Sequence, residues 1–133
     1  ARDRLSHEGL LARVTLTPGD FYRDDLPAGH DLAFISAIIH QNNPLQNLDL
    51  YRKVFRALVP GGRVVIRDHI METNRTEPPE GAVFAVNMLV ATDGGATYTF
   101  DEIRRGLEQA GFHQISHLRK GEHMDGLVEA YKP

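Results

Sequence analysis

The chain has 133 residues, of which 41% are hydrophobic and 25% charged, with a formal net charge of −3. This is the composition of a globular domain with one modest core. No apolar run approaches the ~20 residues that cross a bilayer, and no basic cluster of the kind that binds nucleic acid occurs. The chain has no cysteine, which excludes disulfides and thiolate metal sites and favours a cytoplasmic protein whose partner is a small molecule or another protein.

The first predicted elements alternate between helix and strand. Residues 1–11 predict the end of a helix, and residues 13–16 predict a short strand. Residues 31–39 (DLAFISAII) form a nearly continuous apolar run. Such a run is typical of a strand that is buried on both faces of a sheet.

A well-delimited helix and a second buried strand follow. Asn43 is placed to cap this helix and Pro44 suits its first position. The turn-forming Pro-Gly-Gly at residues 60–62 is expected to end it. Residues 63–66 (RVVI) then predict another strand buried on both faces.

The last part of the chain predicts two helices and a pair of strands. Residues 82–91 are expected to form an apolar helix. Thr99 and Glu102 have the spacing of a capping box, so they predict the start of a further helix that Gly111 closes. An antiparallel pair of strands is expected over residues 112–119 and 126–132.

This alternation of strands and helices predicts an α/β domain with a mostly parallel sheet and helices on both faces. Binding sites in such sheets form beyond the carboxyl ends of the strands. The rule singles out three places, namely the turn at residues 19–21, His40, and Asp68.

Two titratable side chains stand at the carboxyl ends of neighbouring predicted strands. His40 and Asp68 follow the two buried strands directly, and adjacent strands lie only ~4.8 Å apart. An imidazole accepts a proton near neutral pH, and a carboxylate bound to its other nitrogen fixes the tautomer and stabilises the imidazolium. Other interpretations stay open: His40 caps backbone groups, and Asp68 pairs with Arg63 or Arg67 or faces water.

The turn after the first predicted strand has the residues of a nucleoside contact. The carboxylate of Asp20 can accept hydrogen bonds from an adenine amine or a sugar hydroxyl, and the ring of Phe21 can cover an adenine face. The alternative is an ordinary turn followed by a core phenylalanine.

Four further residues have a pattern that suggests metal ligands. His113 and His117 are four residues apart, with His123 and Asp125 nearby. On a strand, however, residues with this spacing lie ~13 Å apart, which is too far for two ligands of one metal. The sequence therefore predicts no metal site.

The order of these motifs resembles that of a known family. The chain is similar to the class I S-adenosylmethionine-dependent O-methyltransferases, typified by plant caffeic acid and mammalian acetylserotonin enzymes and by bacterial antibiotic-tailoring relatives. The resemblance covers essentially the whole chain and implies a partial Rossmann-like methyltransferase sheet with flanking helices. It rests on Arg13-Val14, Gly19-Asp20-Phe21-Tyr22, the run ending at His40, PGGRVVI at 60–66, Gly94-Gly95, Thr99 and Ala110-Gly111-Phe112.

The resemblance implies two catalytic residues. His40 stands at the position of the family's general base, and Asp68 stands where the family has a glutamate that orients this base. The family's base is usually followed by Asp-Trp, whereas this chain has Gln41-Asn42. A second family glutamate is absent because Thr97 occupies its place.

The resemblance also implies residues for cofactor and substrate. Asp20 matches the family's adenine-binding aspartate, Phe21 the apolar residue that covers the adenine, and Ser36 a lysine near the adenine. Met88 matches a substrate-pocket methionine, and Thr92 is assigned to the same pocket. This pocket, if it is not ordinary core, is expected to be lined by Val83, Phe84, Val86, Met88 and Leu89.

The family's Gly-x-Gly-x-Gly cofactor loop does not occur among these 133 residues. Residues 1–133 are therefore expected to be the C-terminal part of a methyltransferase catalytic domain, without its first two strands and without the N-terminal dimerisation region. In the family's sheet order those strands lie between the strands at 13–16 and 31–39, so this chain is expected to have an open edge. Open edges favour pairing with other chains, so a homo-oligomer is expected.

The implied function is S-adenosylmethionine-dependent methyl transfer to a hydroxyl oxygen of a small aromatic or polyketide-like molecule, with His40 as the base. The isolated residues 1–133 are expected to be inactive. One alternative is a non-catalytic interaction domain that keeps the fold. Another is a different enzyme on the same fold, such as a decarboxylase or a hydroxylase-like relative.

Overall fold

A computed structural model describes all 133 residues, in a four-stranded sheet, a two-stranded ladder and four α-helices. None of the helices combines the length and the apolar character needed to span a bilayer. The helices are α1 (Arg2–His7), α2 (Pro44–Ala57), α3 (Pro79–Ala91) and α4 (Phe100–Ala110). The strands are β1 (His30–Ser36), β2 (Leu58–Asp68), β3 (Ile70–Met71), β4 (Tyr98–Thr99), β5 (His113–Arg119) and β6 (Gly126–Tyr131).

The two best-delimited helices begin as predicted. The Asn43 side chain accepts from the backbone N–H of Gln46 at 2.9 Å, and the Gln46 side chain accepts from the N–H of Asn43 at 2.8 Å. Thr99 and Glu102 make the same reciprocal pair at the start of α4. Gly111 ends α4 with a φ of 105°, a conformation that favours glycine.

The strand order in the main sheet is β1-β2-β6-β5. The β1–β2 pair is parallel, whereas β6 runs antiparallel to both of its neighbours. The predicted antiparallel pair at the end of the chain is confirmed, but the expectation of mostly parallel pairing is wrong, because only the β1–β2 pair in this sheet is parallel. The short connection between β5 and β6 permits only an antiparallel pairing, and β6 then inserts next to β2.

The strand predicted at residues 13–16 does not form. Leu11–Arg13 is a 3-10 turn, and residues 14–20 have no regular structure. A strand needs a neighbour for its backbone N–H and C=O groups, and β1, at the edge of the sheet, pairs only with β2. Helix α1 is also shorter than predicted, because it ends at His7.

The strand predicted over residues 31–39 ends earlier. It stops at Ser36, and Ala37 turns the chain with a positive φ of 56° while its N–H donates to the carbonyl of Arg67. His40 therefore lies not at a strand tip but at the centre of a 3-10 turn, Ile39–Gln41. The Pro-Gly-Gly at residues 60–62 lies inside β2 at a shift of register, three residues beyond the end of α2.

The core lies on one face of the main sheet. Helices α2 and α4 cover this face, where Val64, Ile66 and Val128 are fully buried. On the opposite face Leu32 and Phe34 are 47% and 59% exposed. The expectation of helices on both faces is therefore wrong for this chain, since α1 buries none of its side chains and α3 lies beside β3 and the His40 turn.

Candidate active site

His40, in the turn that follows β1, is in direct contact with Asp68 at the carboxyl end of β2. The Nδ1 atom of His40 lies 2.9 Å from Oδ1 and 3.0 Å from Oδ2 of Asp68. Both residues are buried: His40 is 9% exposed and Asp68 is 1% exposed. This contact confirms the predicted proximity. The alternative pairings of Asp68 are wrong, because Arg63 pairs with Glu129 at 2.8 Å and Arg67 donates to the hydroxyl of Ser36 at 3.3 Å.

The carboxylate is held in place by the backbone as well. Oδ1 of Asp68 accepts a hydrogen bond from the N–H of His69 at 2.8 Å. Because an ionised carboxylate only accepts, the nitrogen of His40 that faces it is the one that holds a proton. The Nε2 atom of His40 is therefore the nitrogen with a lone pair, and this tautomer can take a proton from a hydroxyl group.

The backbone of His40 is fixed by the segment that follows α3. The carbonyl of His40 accepts from the N–H of Ala96 at 2.9 Å. Gly95 approaches so closely that a Cβ atom there would lie 2.5 Å from this carbonyl oxygen, so only glycine fits. The Thr92 hydroxyl accepts from the N–H of Gly95 at 2.8 Å and donates to the carbonyl of Met88 at 2.7 Å. Thr92 therefore stabilises the turn that packs on His40.

Helix α3 presents Phe84 to the imidazole. The ring of Phe84 is perpendicular to that of His40 at a centroid distance of 4.9 Å, and it also contacts His69 at 5.0 Å. Met88 lies one helical turn later on the same face and is buried. The alternative that the expected lining is ordinary core is wrong for three of its members, which lie on the outer face of α3 and are between 63% and 77% exposed: Val83, Val86 and Leu89.

His69 is a buried histidine that sequence reasoning missed. It is only 2% exposed, and its Nδ1 atom has no hydrogen-bond partner. Burial lowers the pKa of His69, which favours the neutral imidazole beside Phe84. The available signal was its position directly after Asp68, at the end of a buried strand.

The segment predicted to contact a nucleoside forms a tight turn. Oδ1 of Asp20 accepts from the N–H of Tyr22 at 3.0 Å, while Oδ2 has only Arg23 nearby, at 3.6 Å. Phe21 packs against the core, and its carbonyl accepts from the buried ammonium group of Lys53 at 2.8 Å.

The structure joins this turn to the His40 turn. The hydroxyl of Tyr22 donates to the side chain of Asn42 at 2.6 Å. Ser36 lies four residues before His40 on β1, and its hydroxyl bonds Arg67 rather than Asp20 or Phe21. Tyr22 and Asn42 were not predicted as site residues.

The four residues weighed as metal ligands have other contacts. His113 bonds the carbonyl of Tyr131 at 2.7 Å, and His117 stacks on Phe100. His123 pairs with Glu80, and Asp125 pairs with Arg119. No group of three or more His, Cys, Asp or Glu side chains in the chain is arranged to hold a metal ion.

The sequence of this chain matches a family model. The model, described as the O-methyltransferase domain, covers residues 1–113. This chain belongs to the O-methyltransferase family. The match confirms the resemblance drawn from the motifs.

Individual relatives agree with this assignment. The 3-hydroxy-5-methyl-1-naphthoate 3-O-methyltransferase of Streptomyces sahachiroi is 32% identical over 119 residues, which are 90% of this chain and 34% of that protein. The S-adenosyl-L-methionine-dependent methyl transferase PigF of a Serratia species is 31% identical, over 84% of this chain and 32% of that protein. The chain thus spans about a third of the length of the curated relatives it matches.

Solved structures confirm the partial methyltransferase fold. A structure of PigF with SAH has a TM-score of 0.89 and 29% identity, over 98% of this chain and 39% of that chain. The structure of human N-acetylserotonin methyltransferase in complex with SAM has a TM-score of 0.79 and 25% identity, over 87% of this chain and 33% of that chain. The α/β architecture described above is therefore that of this family.

Proposed function

We propose that this chain is the C-terminal part of the catalytic domain of an S-adenosylmethionine-dependent methyltransferase. Its acceptor is a hydroxyl oxygen of a small aromatic or polyketide-like molecule. The buried His40–Asp68 contact carries the proposal, because it supplies a base whose free nitrogen can take the hydroxyl proton. Membership of the family and the naphthoate O-methyltransferase among its relatives support it further.

The residues present fit the proposed cofactor. When bound, S-adenosylmethionine supplies an electrophilic methyl group on its sulfonium centre. Oδ2 of Asp20 belongs to a side chain that is 50% exposed, so it can accept a hydrogen bond from the nucleoside. Phe21 would cover the adenine, and Ser36 would contact it from the end of β1. The turn at Asp20 is already fixed, because its N–H donates to Asp24 at 2.8 Å.

In the proposed mechanism His40 removes the proton of the acceptor hydroxyl. A phenol ionises near pH 10, so only a small fraction is ionised at pH 7. The Nε2 atom of His40 takes the proton, and the carboxylate of Asp68 stabilises the resulting imidazolium. The ring of Phe84 packs perpendicular to the imidazole at a centroid distance of 4.9 Å. Such general-base help is worth ~10²–10⁴ in rate.

Met88 and Thr92 are proposed as walls of the acceptor site. The hydroxyl of Thr92 already donates to the carbonyl of Met88 and accepts from Gly95. Thr92 would therefore contact an acceptor through its methyl group. This contact would select for apolar surface on the acceptor, as expected for an aromatic molecule.

The proposal is tested by binding and by product analysis on the full-length protein. Calorimetric titration with S-adenosylhomocysteine should show one site, and S-adenosylmethionine with a ¹³C-labelled methyl group should label the oxygen of a phenol. A protein that does not bind S-adenosylhomocysteine would be the non-catalytic interaction domain. Label on a ring carbon would instead contradict oxygen as the acceptor atom.

We also propose that residues 1–133 alone are inactive and self-associate through β1. This strand is an edge of the sheet, and its exposed face includes Leu32 and Phe34. Light scattering at micromolar concentration should give a mass above that of the monomer. The Phe34→Lys variant should shift the mass towards the monomer, because a charge on an edge strand opposes pairing. If residues 1–133 without the substitution are monomeric at this concentration, the proposal is contradicted.

A further inference from the structure

A buried amide joins residues 20–22, the segment proposed to contact the nucleoside and called the nucleoside segment below, to the turn that holds His40. Asn42 is completely buried, and its Oδ1 atom accepts a hydrogen bond from the hydroxyl of Tyr22 at 2.6 Å. Tyr22 follows Asp20 and Phe21 directly, and the residue is 44% exposed. The hydroxyl of Tyr22 is thus anchored inside the protein, whereas Asp20 in the same turn is exposed.

The nitrogen of the same amide is linked to the His40 turn through Asn47. Nδ2 of Asn42 donates to the side chain of Asn47 at 3.0 Å, and Asn47 donates to the carbonyl of Ile39 at 3.0 Å. Asn47 therefore bridges Asn42, which follows the 3-10 turn, to Ile39, the first residue of that turn. The hydroxyl of Tyr98 also donates to the carbonyl of Asn42. Movement of Asn42 would consequently move His40.

The bond from Tyr22 completes this network. A conformation that leaves a buried polar group without a hydrogen-bond partner is destabilised, because the group has lost its hydration and gained no partner. Without the Tyr22 hydroxyl, Oδ1 of Asn42 would have no donor inside the protein. The conformation of the His40 turn therefore depends on where the nucleoside segment lies, even though more than ten residues separate the two in sequence.

We propose that Asn42 is a positioning residue that couples cofactor binding at residues 20–22 to the orientation of His40. The inference rests on the proposed function. A nucleoside bound at this segment would fix Tyr22, and Tyr22 would hold the His40 turn through Asn42. The change from the Asp-Trp of the resemblance to Gln41-Asn42 then provides a polar link rather than a loss of function.

The test compares Tyr22→Phe, Asn42→Leu and the double variant in the full-length protein. Each single variant should lower kcat at saturating S-adenosylmethionine about 10-fold and weaken S-adenosylhomocysteine binding, with little change in KM for the acceptor. The double variant should be no worse than the more severe single variant, because both changes break one link. Tyr131→Phe is the matched control, since its hydroxyl lies beside Arg63, and it should keep the original kcat.

The outcomes separate coupling from stability. A lower melting temperature with an unchanged kcat for the folded protein would overturn the proposal, and so would effects that multiply in the double variant. Tyr22→Phe removes one hydroxyl from a half-exposed ring, so it decides the matter even if Asn42→Leu does not fold. An unsubstituted protein that does not bind S-adenosylhomocysteine overturns both the proposed function and the coupling. If the unsubstituted protein is active and the two effects on kcat multiply in the double variant, only the coupling is overturned.

Discussion

Replacing His40 by glutamine in the full-length protein is expected to lower kcat by ~10²–10⁴-fold and to leave the affinity for S-adenosylhomocysteine nearly unchanged. Glutamine has about the size of the imidazole but cannot take a proton at neutral pH. His40 contacts Asp68 and Phe84, and none of its side-chain contacts involves the nucleoside segment. The loss should therefore fall on the chemical step, and steady-state kinetics with calorimetry separates the two quantities.

The matched control for this variant is His113→Gln. His113 is exposed, and its ring bonds only the carbonyl of Tyr131. Tyr131 is the last residue of β6, whereas Asp68 pairs with Gly126, the first residue of that strand. This control should keep the original kcat. Turnover that survives the loss of His40 would reject it as the base, and a parallel loss of S-adenosylhomocysteine binding would indicate damage to the fold instead.

Replacing Asp68 by asparagine is also expected to lower kcat by ~10²–10⁴-fold. The amide oxygen can still accept from His40 or from the N–H of His69, but it has no charge to stabilise an imidazolium. The amide nitrogen can also donate to Nδ1 of His40 and so favour the wrong tautomer. Because Asp68 is 1% exposed, no water replaces the lost charge.

A second variant tests whether charge or shape is responsible. Asp68→Glu keeps the carboxylate that the resemblance implies at this position, but the extra methylene must fit in a buried site, which costs about 1–3 kcal/mol of stability. We expect its kcat to lie between those of the original protein and Asp68→Asn. If the glutamate and asparagine variants lose equal activity while remaining folded, the charge of Asp68 is not what assists His40.

Local signals in the sequence predicted the elements whose causes are local. The caps at Asn43 and Thr99 form as their spacing indicates, because each bonds a residue three positions away. The apolar runs before His40 and Asp68 identified two strands, and their parallel pairing brought these residues together. The expected burial on both faces is wrong for β1, where only Ile35 is buried. The strand at 13–16 failed because a strand also requires a neighbour, which no local pattern reveals.

The remaining site residues depend on contacts between distant segments. Tyr22 and Asn42 are 20 positions apart, and neither has a neighbour that marks it as part of a network. Phe84 and Val83 are adjacent and equally apolar, but only the helical phase of α3 decides that Phe84 faces His40 while Val83 is 72% exposed. The sequence pattern of residues 82–91 predicted the helix, not its rotation.

The most direct test of the general base uses phenols of different acidity. The ratio of kcat for the original protein to kcat for His40→Gln is measured at pH 7.5 for acceptors whose hydroxyl pKa spans about 7 to 10. A base matters only when the hydroxyl holds its proton, so the ratio should be large for weakly acidic phenols and should approach one for acceptors that are already ionised. An equal loss for all acceptors would contradict the assignment of His40 as the proton acceptor.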